Sequence, residues 1–284
     1  MSSAHTPMDT VDFDGLQPEP RQSGPRFSRV AFIASGAEEA QAACRRLAHT
    51  YGNTPPESAD VVVALGGDGL MLQTMHRFMS RGIPIYGMNR GTVGFLMNDF
   101  REEGLLERLE VSVPTVIKPL VMHVLDIDGH RHFARAINEV SLYRQTFQAA
   151  KLELWVDGQI RMKELIGDGA LVATPAGSTA YNHSAYGPIV PLNSNLLALT
   201  PLNPFRPKRW RGALLPDRSE VRFGVLDPIK RPVAAVADHT EFRNAKEVVI
   251  RLDRDRSMVM LHDPDHGMDE RIIAEQFAAA QTLR

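Results

Sequence analysis

Residues 59–65 read ADVVVAL and lead without a break into Gly66-Gly67-Asp68-Gly69. A run this continuously apolar suits a parallel strand covered on both faces, because a half-exposed strand would alternate. Working outward, residues 70–79 have helical composition, with Leu72, Met75 and Phe78/Met79 at helical spacing. Upstream, 29–34 (RVAFIA) is a short β-rich run, and 37–51 place Ala40, Ala43, Cys44 and Leu47 on one helix face. Downstream, 84–88 (PIYGM) is another short strand and 102–109 one more short helix. The order β-α-β-α-β predicts a Rossmann-like parallel sheet with right-handed crossovers, an α/β domain over residues 26–113.

After Pro114 the character changes. Residues 121–127, 132–137, 140–143, 151–156 and 159–165 are short β-prone runs, and 171–174, 221–225, 233–236, 248–252 and 258–261 continue them. Asp157-Gly158 between two of them is a type I′ hairpin signal. Residues 114–262 therefore read as a β-rich, sandwich-like second domain of mostly antiparallel strands. Residues 269–282, with Ile273, Phe277 and Ala280 on one face, predict a closing helix within 263–284. Residues 1–25 are rich in Pro, Ser, Asp and Gln and are expected to form a mobile tail.

The bulk numbers exclude some classes. A net charge of −2 gives no global positive field for nucleic acid. The single cysteine, Cys44, forbids an intrachain disulfide and fits a reducing compartment; on its apolar helix face it reads as core. Residues 1–24 lack the apolar core of a signal peptide, and no apolar run approaches the roughly 18–20 residues of a membrane span. A soluble cytoplasmic protein is expected.

Four segments carry chemistry. Gly66-Gly67-Asp68-Gly69 stands between a buried strand and a helix, where open α/β sheets bind phosphate. Glycines there permit close backbone approach and φ > 0. A carboxylate beside a phosphate suits proton acceptance from an attacking hydroxyl, or metal binding; a tight turn capped by Asp68 fits the same tetrapeptide. Neither a G-x-x-x-x-G-K-[ST] loop nor a G-x-G-x-x-G after the first strand occurs. Residues 89–96 (NRGTVGFL) follow a strand and suit a nucleoside, with Phe95 against a base or tucked into the core. Asn138-Glu139 lies in a β-like stretch; Asn can read an adenine edge and a carboxylate a ribose diol, while a polar pair at a strand edge fits equally. Residues 168–181 (DGALVATPAGSTAY) end a strand in Thr-Pro and open a helix with a Gly-Ser-Thr turn, which brings hydroxyls and free N–H groups together.

Taken together, GGDG after an apolar strand, the GxxGFL segment, the NE pair and DGxxxxTPxGSTAY resemble the NAD kinase family in order and approximate spacing. GGDG alone is shared with lipid kinases and phosphofructokinases. The resemblance implies NAD bound between an α/β and a β-rich domain. It implies that Asp68 is the general base on the ribose 2′-hydroxyl and that Gly66, Gly67 and Gly69 line the donor-phosphate loop, Gly69 also meeting NAD. By the same token Leu72 and Phe95 would line the adenosine pocket and Asn138 and Glu139 would hydrogen-bond the dinucleotide. Thr179, Ala180, Tyr181 and Ser184 would hold adenine and ribose, and Asp168 would face the nicotinamide end. The family implies ATP or polyphosphate as donor, Mg²⁺ accompanying it rather than a resident metal site, and a homo-oligomer, dimer or tetramer, whose neighbouring subunit completes the site. Two positions depart from its pattern: Ala176 stands where a hydroxyl is usual, and Ile166 where many relatives carry a polar residue.

Other signals carry less. His262 and His266 flank Pro264 and read as solvated turn residues. Asp238-His239 fits a turn or a site. Arg206, Lys208, Arg209 and Arg211 around Trp210 read as a solvated loop. A lipid kinase would need an apolar or membrane-binding surface, and no amphipathic basic helix is legible. A non-catalytic NAD-binding module would not need Asp68.

Overall fold

The computed structural model describes residues 27–91 and 95–264. The expected tail (1–25) and closing helix (269–282) lie outside the described residues.

The first part of the chain runs β1 (Val30–Ala34), α1 (Glu38–Tyr51), β2 (Val61–Gly66), α2 (Asp68–Phe78), β3 (Ile85–Asn89), α3 (Leu105–Val111) and β4 (Val113–Ile117). β2 is buried along its whole length and pairs in parallel with β1 and β3, as its unbroken apolar run predicts. Even and odd positions of the strands face different helices. Val30, Phe32, Val61, Val63 and Leu65 pack with Leu47 of α1 and Leu105 and Leu109 of α3. Ala31, Val62, Ala64 and Ile85 pack with Met71, Met75 and Phe78 of α2. Cys44 is half-buried beside the first cluster, and burial pushes its thiol up, so it packs rather than reacts.

This arrangement corrects one expectation. The strand order is β1-β2-β3, so both crossovers step the same way across the sheet. Two right-handed crossovers stepping one way would put α1 and α2 on the same face. They lie on opposite faces, so one of the two connections is left-handed.

The β-rich part contains β5 (Leu120–Asp126), β6 (Arg131–Ala136), β7 (Glu139–Arg144), β8 (Ala150–Val156), β9 (Gln159–Gly167) and β10 (Gly169–Ala173). A single-turn helix, α4 (Tyr181–Ser184), precedes β11 (Leu196–Leu202), β12 (Ala213–Pro216), β13 (Val221–Val225), β14 (Val233–Ala237), β15 (Thr240–Phe242) and β16 (Ala245–Leu252). Two six-stranded sheets result, β6-β5-β16-β13-β8-β9 and β12-β11-β10-β7-β14-β15. Alternate residues of both, among them Leu152, Leu154, Val140, Leu142, Phe223 and Ala235, form one core between them. The hairpin signal holds: Asp157 (φ 52°) and Gly158 (φ 74°) take the left-handed conformations of a type I′ turn.

β11 was not legible in the proline-rich sequence around it. Its neighbour β12 covers only Leu196–Leu199, so Pro201 sits where one side of the strand is open and a missing N–H is tolerated. The run at 258–261, read from the sequence with the second domain's strands, forms β17 (Met258–His262). It joins the first sheet, parallel to β3 and antiparallel to β4. His262 is accordingly buried at a strand end and is not a solvated turn residue. β4 itself pairs only in that first sheet.

Candidate active site

Because α1 leaves β1 toward one face and α2 leaves β2 toward the other, the loops at the carboxyl ends of these strands diverge. That divergence opens the crevice in which α/β sheets bind ligands. The glycine tetrapeptide sits there: Gly66 ends β2, Gly67 precedes α2, and Asp68 is its first helical residue. None of Gly66, Gly67 and Gly69 takes a positive φ, contrary to the use expected of them. Their lack of side chains serves space instead. A Cβ on Gly66 would meet Leu70 at 2.8 Å, whereas Gly67 and Gly69 face open space.

Asp68 is half-buried and held from across the crevice. One carboxylate oxygen accepts from the Phe95 N–H (2.7 Å), the other from the Leu96 N–H (2.9 Å). It therefore pins the segment after β3 rather than capping its own helix, which has no side-chain cap. Each oxygen keeps a second lone pair. The Arg90 N–H donates to the Gly66 carbonyl (2.8 Å), tying the ends of β2 and β3 together. Leu72 and Phe95 are partly buried against a cluster that joins Met71, Met75 and Leu96 to Ile137 and Ala176 of the β-rich part. Apolar packing at 176 explains why an alanine is accommodated there.

Asn138 lies in the bend between β6 and β7, and Glu139 starts β7. This strand end is the position that frees adjacent residues from pointing to opposite faces. Asp238, whose side chain is wholly buried, organises the bend. Its carboxylate accepts from the N–H groups of Ile137 (2.6 Å), Asn138 (3.0 Å) and Glu139 (3.3 Å). The Thr174 hydroxyl donates to the Ile137 carbonyl (2.7 Å) and accepts from the Gly177 N–H (3.0 Å). Burial, reinforced by the neighbouring Asp238 charge, pushes the Glu139 carboxyl up to about 8, and its Oε2 is buried without a hydrogen-bond partner.

Gly177 is where the two recognition segments touch. A Cβ there would lie 2.1 Å from the Asn138 carbonyl oxygen. Gly177→Ala is expected to push the 174–181 turn off the bend, costing about 2–3 kcal/mol or more in urea unfolding and weakening NAD binding. A variant as stable as the parent would show that the contact yields freely.

Asp168, Tyr181 and Ser184 share a cleft of about 800 Å³ whose lining also includes Arg144, Phe147, Tyr186 and Asn203. Asp168 accepts from Asn203 (2.8 Å) and Arg144 (2.6 Å), and those two bonds lower its pKa. Burial first, and then the nearby Glu139 and Asp168 carboxylates, raise the pKa of the Tyr181 hydroxyl, and Tyr181 lines the cleft beside Asp168. Thr179 and Ala180 are half-buried just before it. The predicted residues thus form two groups. Asp68 and the glycines stand at the crevice of the first sheet; Asn138, Glu139, Asp168 and 179–184 line the β-rich side.

The sequence is matched over residues 27–110 by the family model of the ATP-NAD kinase N-terminal domain and over 137–259 by that of the ATP-NAD kinase C-terminal domain. The chain belongs to the NAD kinase family. Relatives include the NAD kinase of Caulobacter vibrioides, 55% identical over 258 residues, covering 91% of this chain and 99% of that protein. The NAD kinase of Rhizobium meliloti is 54% identical over 253 residues, covering 89% and 98%. Two solved structures share the fold. A yeast NADH kinase complexed with NADH aligns with TM-score 0.78 at 21% identity, covering 93% of this chain and 94% of that one. An Archaeoglobus fulgidus NAD kinase in complex with ATP aligns with TM-score 0.68 at 23% identity, covering 87% and 99%.

Sequence reasoning passed over three structural residues of this family member. Buried Ser178 bonds Pro175 and Val190, and buried Asn182 donates to the Ser178 and Pro188 carbonyls and accepts from Thr200. They staple the turn that presents Thr179 and Tyr181. His76, the third, meets Asp238 from α2 at 2.7 Å. An Asn or Ser within a polar loop carries no local sign of burial. Arg206 and Lys208 border the ring of exposed Phe205, while Trp210 packs on the sandwich core, in keeping with a solvated loop.

Proposed function

We propose that this chain phosphorylates the 2′-hydroxyl of the adenosine ribose of NAD to give NADP, with ATP or polyphosphate as donor. The observation that carries the reading is Asp68. Its carboxylate is fixed by two main-chain N–H groups at the mouth of the crevice, beside two glycines that face open space. NAD would lie with its adenosine against Leu72, Phe95, Thr179, Ala180 and Tyr181, its hydroxyls meeting Asn138 and Glu139. Its nicotinamide end would extend toward Asp168 and Ser184. The donor's terminal phosphate would rest over Gly66, Gly67 and Gly69, in line with the 2′-oxygen. As the oxygen–phosphorus bond forms, the hydroxyl proton passes to Asp68; the bond to the donor's bridging oxygen breaks and its electron pair leaves with the nucleoside diphosphate or shortened polyphosphate.

A divalent cation, Mg²⁺ by the family's habit, would neutralise charge on the donor's phosphates. Among the described residues the only close cluster of three acidic or histidine groups is Asp126, Asp128 and His130, at the β5–β6 turn. The glycine loop offers the single carboxylate of Asp68, which fits a cation held mainly by phosphate oxygens. No described helix is long and apolar enough to cross a membrane, and the proposed setting is the cytoplasm. A homo-oligomer is proposed with it; the exposed Phe147 and Tyr186 rings at the rim of the 800 Å³ cleft are what a neighbouring subunit would cover.

The test is turnover of the purified chain with NAD or NADH, Mg²⁺ and each donor in turn, read by NADP-specific detection. NADP formation is expected. Turnover of a lipid substrate with none of NAD would overturn the reading.

A further inference from the structure

One hydrogen bond joins the helix that carries Asp68 to the bend that carries Asn138 and Glu139. His76 lies eight residues after Asp68 on α2, about 12 Å along the axis at ~1.5 Å per residue. Its Nε2 lies 2.7 Å from Oδ2 of Asp238, the same oxygen that accepts from the Ile137 N–H. Asp238 already accepts from three main-chain N–H groups, which makes it the acceptor here too and His76 Nε2 the donor. The Asp238 side chain is wholly shielded from solvent and that of His76 is 19% exposed. The His239 ring stands edge-on to His76 at 4.7 Å, so one imidazole contacts both residues of the β14–β15 turn.

The order of contacts is continuous. α2 presents Asp68 at one end and His76 further along; His76 holds Asp238. Asp238 holds the main chain of 137–139, and the carbonyls of Ile137 and Asn138 accept from Thr174, whose turn leads to Thr179 and Tyr181. Among the described residues these walls also share an apolar cluster that includes Met71, Met75, Ile137 and Ala176, and such packing has no directional preference. A charge-assisted hydrogen bond does.

We propose that His76 is a positioning residue, a strut that fixes the distance and angle between the Asp68 wall and the nucleotide-recognition wall of the cleft. The proposal rests on the kinase reading for its effect on turnover, although the strut itself does not. Without it, each wall keeps its own structure: Asp68 retains its bonds to Phe95 and Leu96, and Asp238 retains its three N–H donors. What changes is the register of the bound ribose hydroxyl relative to the base. Misplacement of about 1 Å costs on the order of 10²-fold in rate.

His76→Ala and His76→Asn are compared with His76→Gln. The glutamine amide nitrogen falls near the place of imidazole Nε2, whereas that of asparagine is too short to reach Asp238. Expected are a fall in kcat of about 10–100-fold in the first two, NAD affinity by calorimetry within about threefold of the parent, and kcat restored to within about threefold by glutamine. Retention of kcat within twofold in His76→Ala and His76→Asn overturns the proposal, as does a glutamine variant as impaired as alanine. So does a loss of NAD affinity that accounts for the whole defect. A second measurement needs no turnover: urea unfolding of His76→Ala, Asp238→Asn and the double variant. A coupling of about tenfold or more in the unfolding equilibrium is expected, and coupling below twofold overturns the strut. Failure of the parent chain to form NADP would overturn the kinase reading instead and leave this cycle to decide the bond.

Discussion

Asp68→Asn is expected to lower kcat by about 10²–10⁴-fold while NAD still binds within a few-fold of the parent affinity. The amide cannot take the ribose proton, and its nitrogen cannot accept a hydrogen bond. Its oxygen can satisfy only one of the Phe95 and Leu96 N–H groups in the present geometry, so the segment after β3 loses one of its two ties. A stability loss of about 1–2 kcal/mol should accompany the kinetic defect. Steady-state rates, calorimetric NAD titration and urea unfolding on one preparation separate the two effects. If kcat stays near that of the parent, Asp68 is a structural clamp and another group takes the proton.

The second large effect concerns Glu139. Its carboxyl is raised from the ordinary value near 4.5 to about 8, first by burial and then by Asp238. The folded state therefore binds a proton that the unfolded state releases, so folded stability falls as pH rises between those values. The contribution is fully present below about pH 4.5 and gone above about pH 8. At about 1.4 kcal/mol per pKa unit, the whole window is worth at most on the order of 4–5 kcal/mol. About 2–3 kcal/mol of it should be lost between roughly pH 6 and pH 8.5. Glu139→Gln removes the titration and keeps the shape, so its stability should be flat by comparison over that interval. Urea unfolding of both proteins at the two pH values measures the difference. Parallel pH dependence in parent and variant would mean that Glu139 is already ionised in the folded state.

Much of the fold follows from local pattern. The unbroken apolar run of β2 and the strict alternation of β8 each reflect burial of immediate neighbours, and each was legible. The same holds for Asp157-Gly158, where the turn chemistry is complete in two residues. β11 was hidden because proline argues against a strand, and only the open side beyond β12 makes Pro201 admissible. The candidate site divides the same way. GGDG, NE and the 168–181 stretch are contiguous and could be quoted from the chain, yet what holds them is not contiguous: Asp68 reaches 95 and 96, and Asp238 reaches back about a hundred residues to 137–139.

By itself, then, the sequence determined most of the strands and helices, though not β11 or β12, and which short motifs could meet phosphate and nucleoside. Burial periodicity and turn chemistry are properties of neighbouring residues, and they leave a trace in their order. Tertiary structure alone decided that α1 and α2 take opposite faces of the first sheet, that Met258–His262 returns to it, and that His76 meets Asp238. Those outcomes depend on which surfaces pair across long separations, where any buried polar group needs a partner but the chain's local order does not say which.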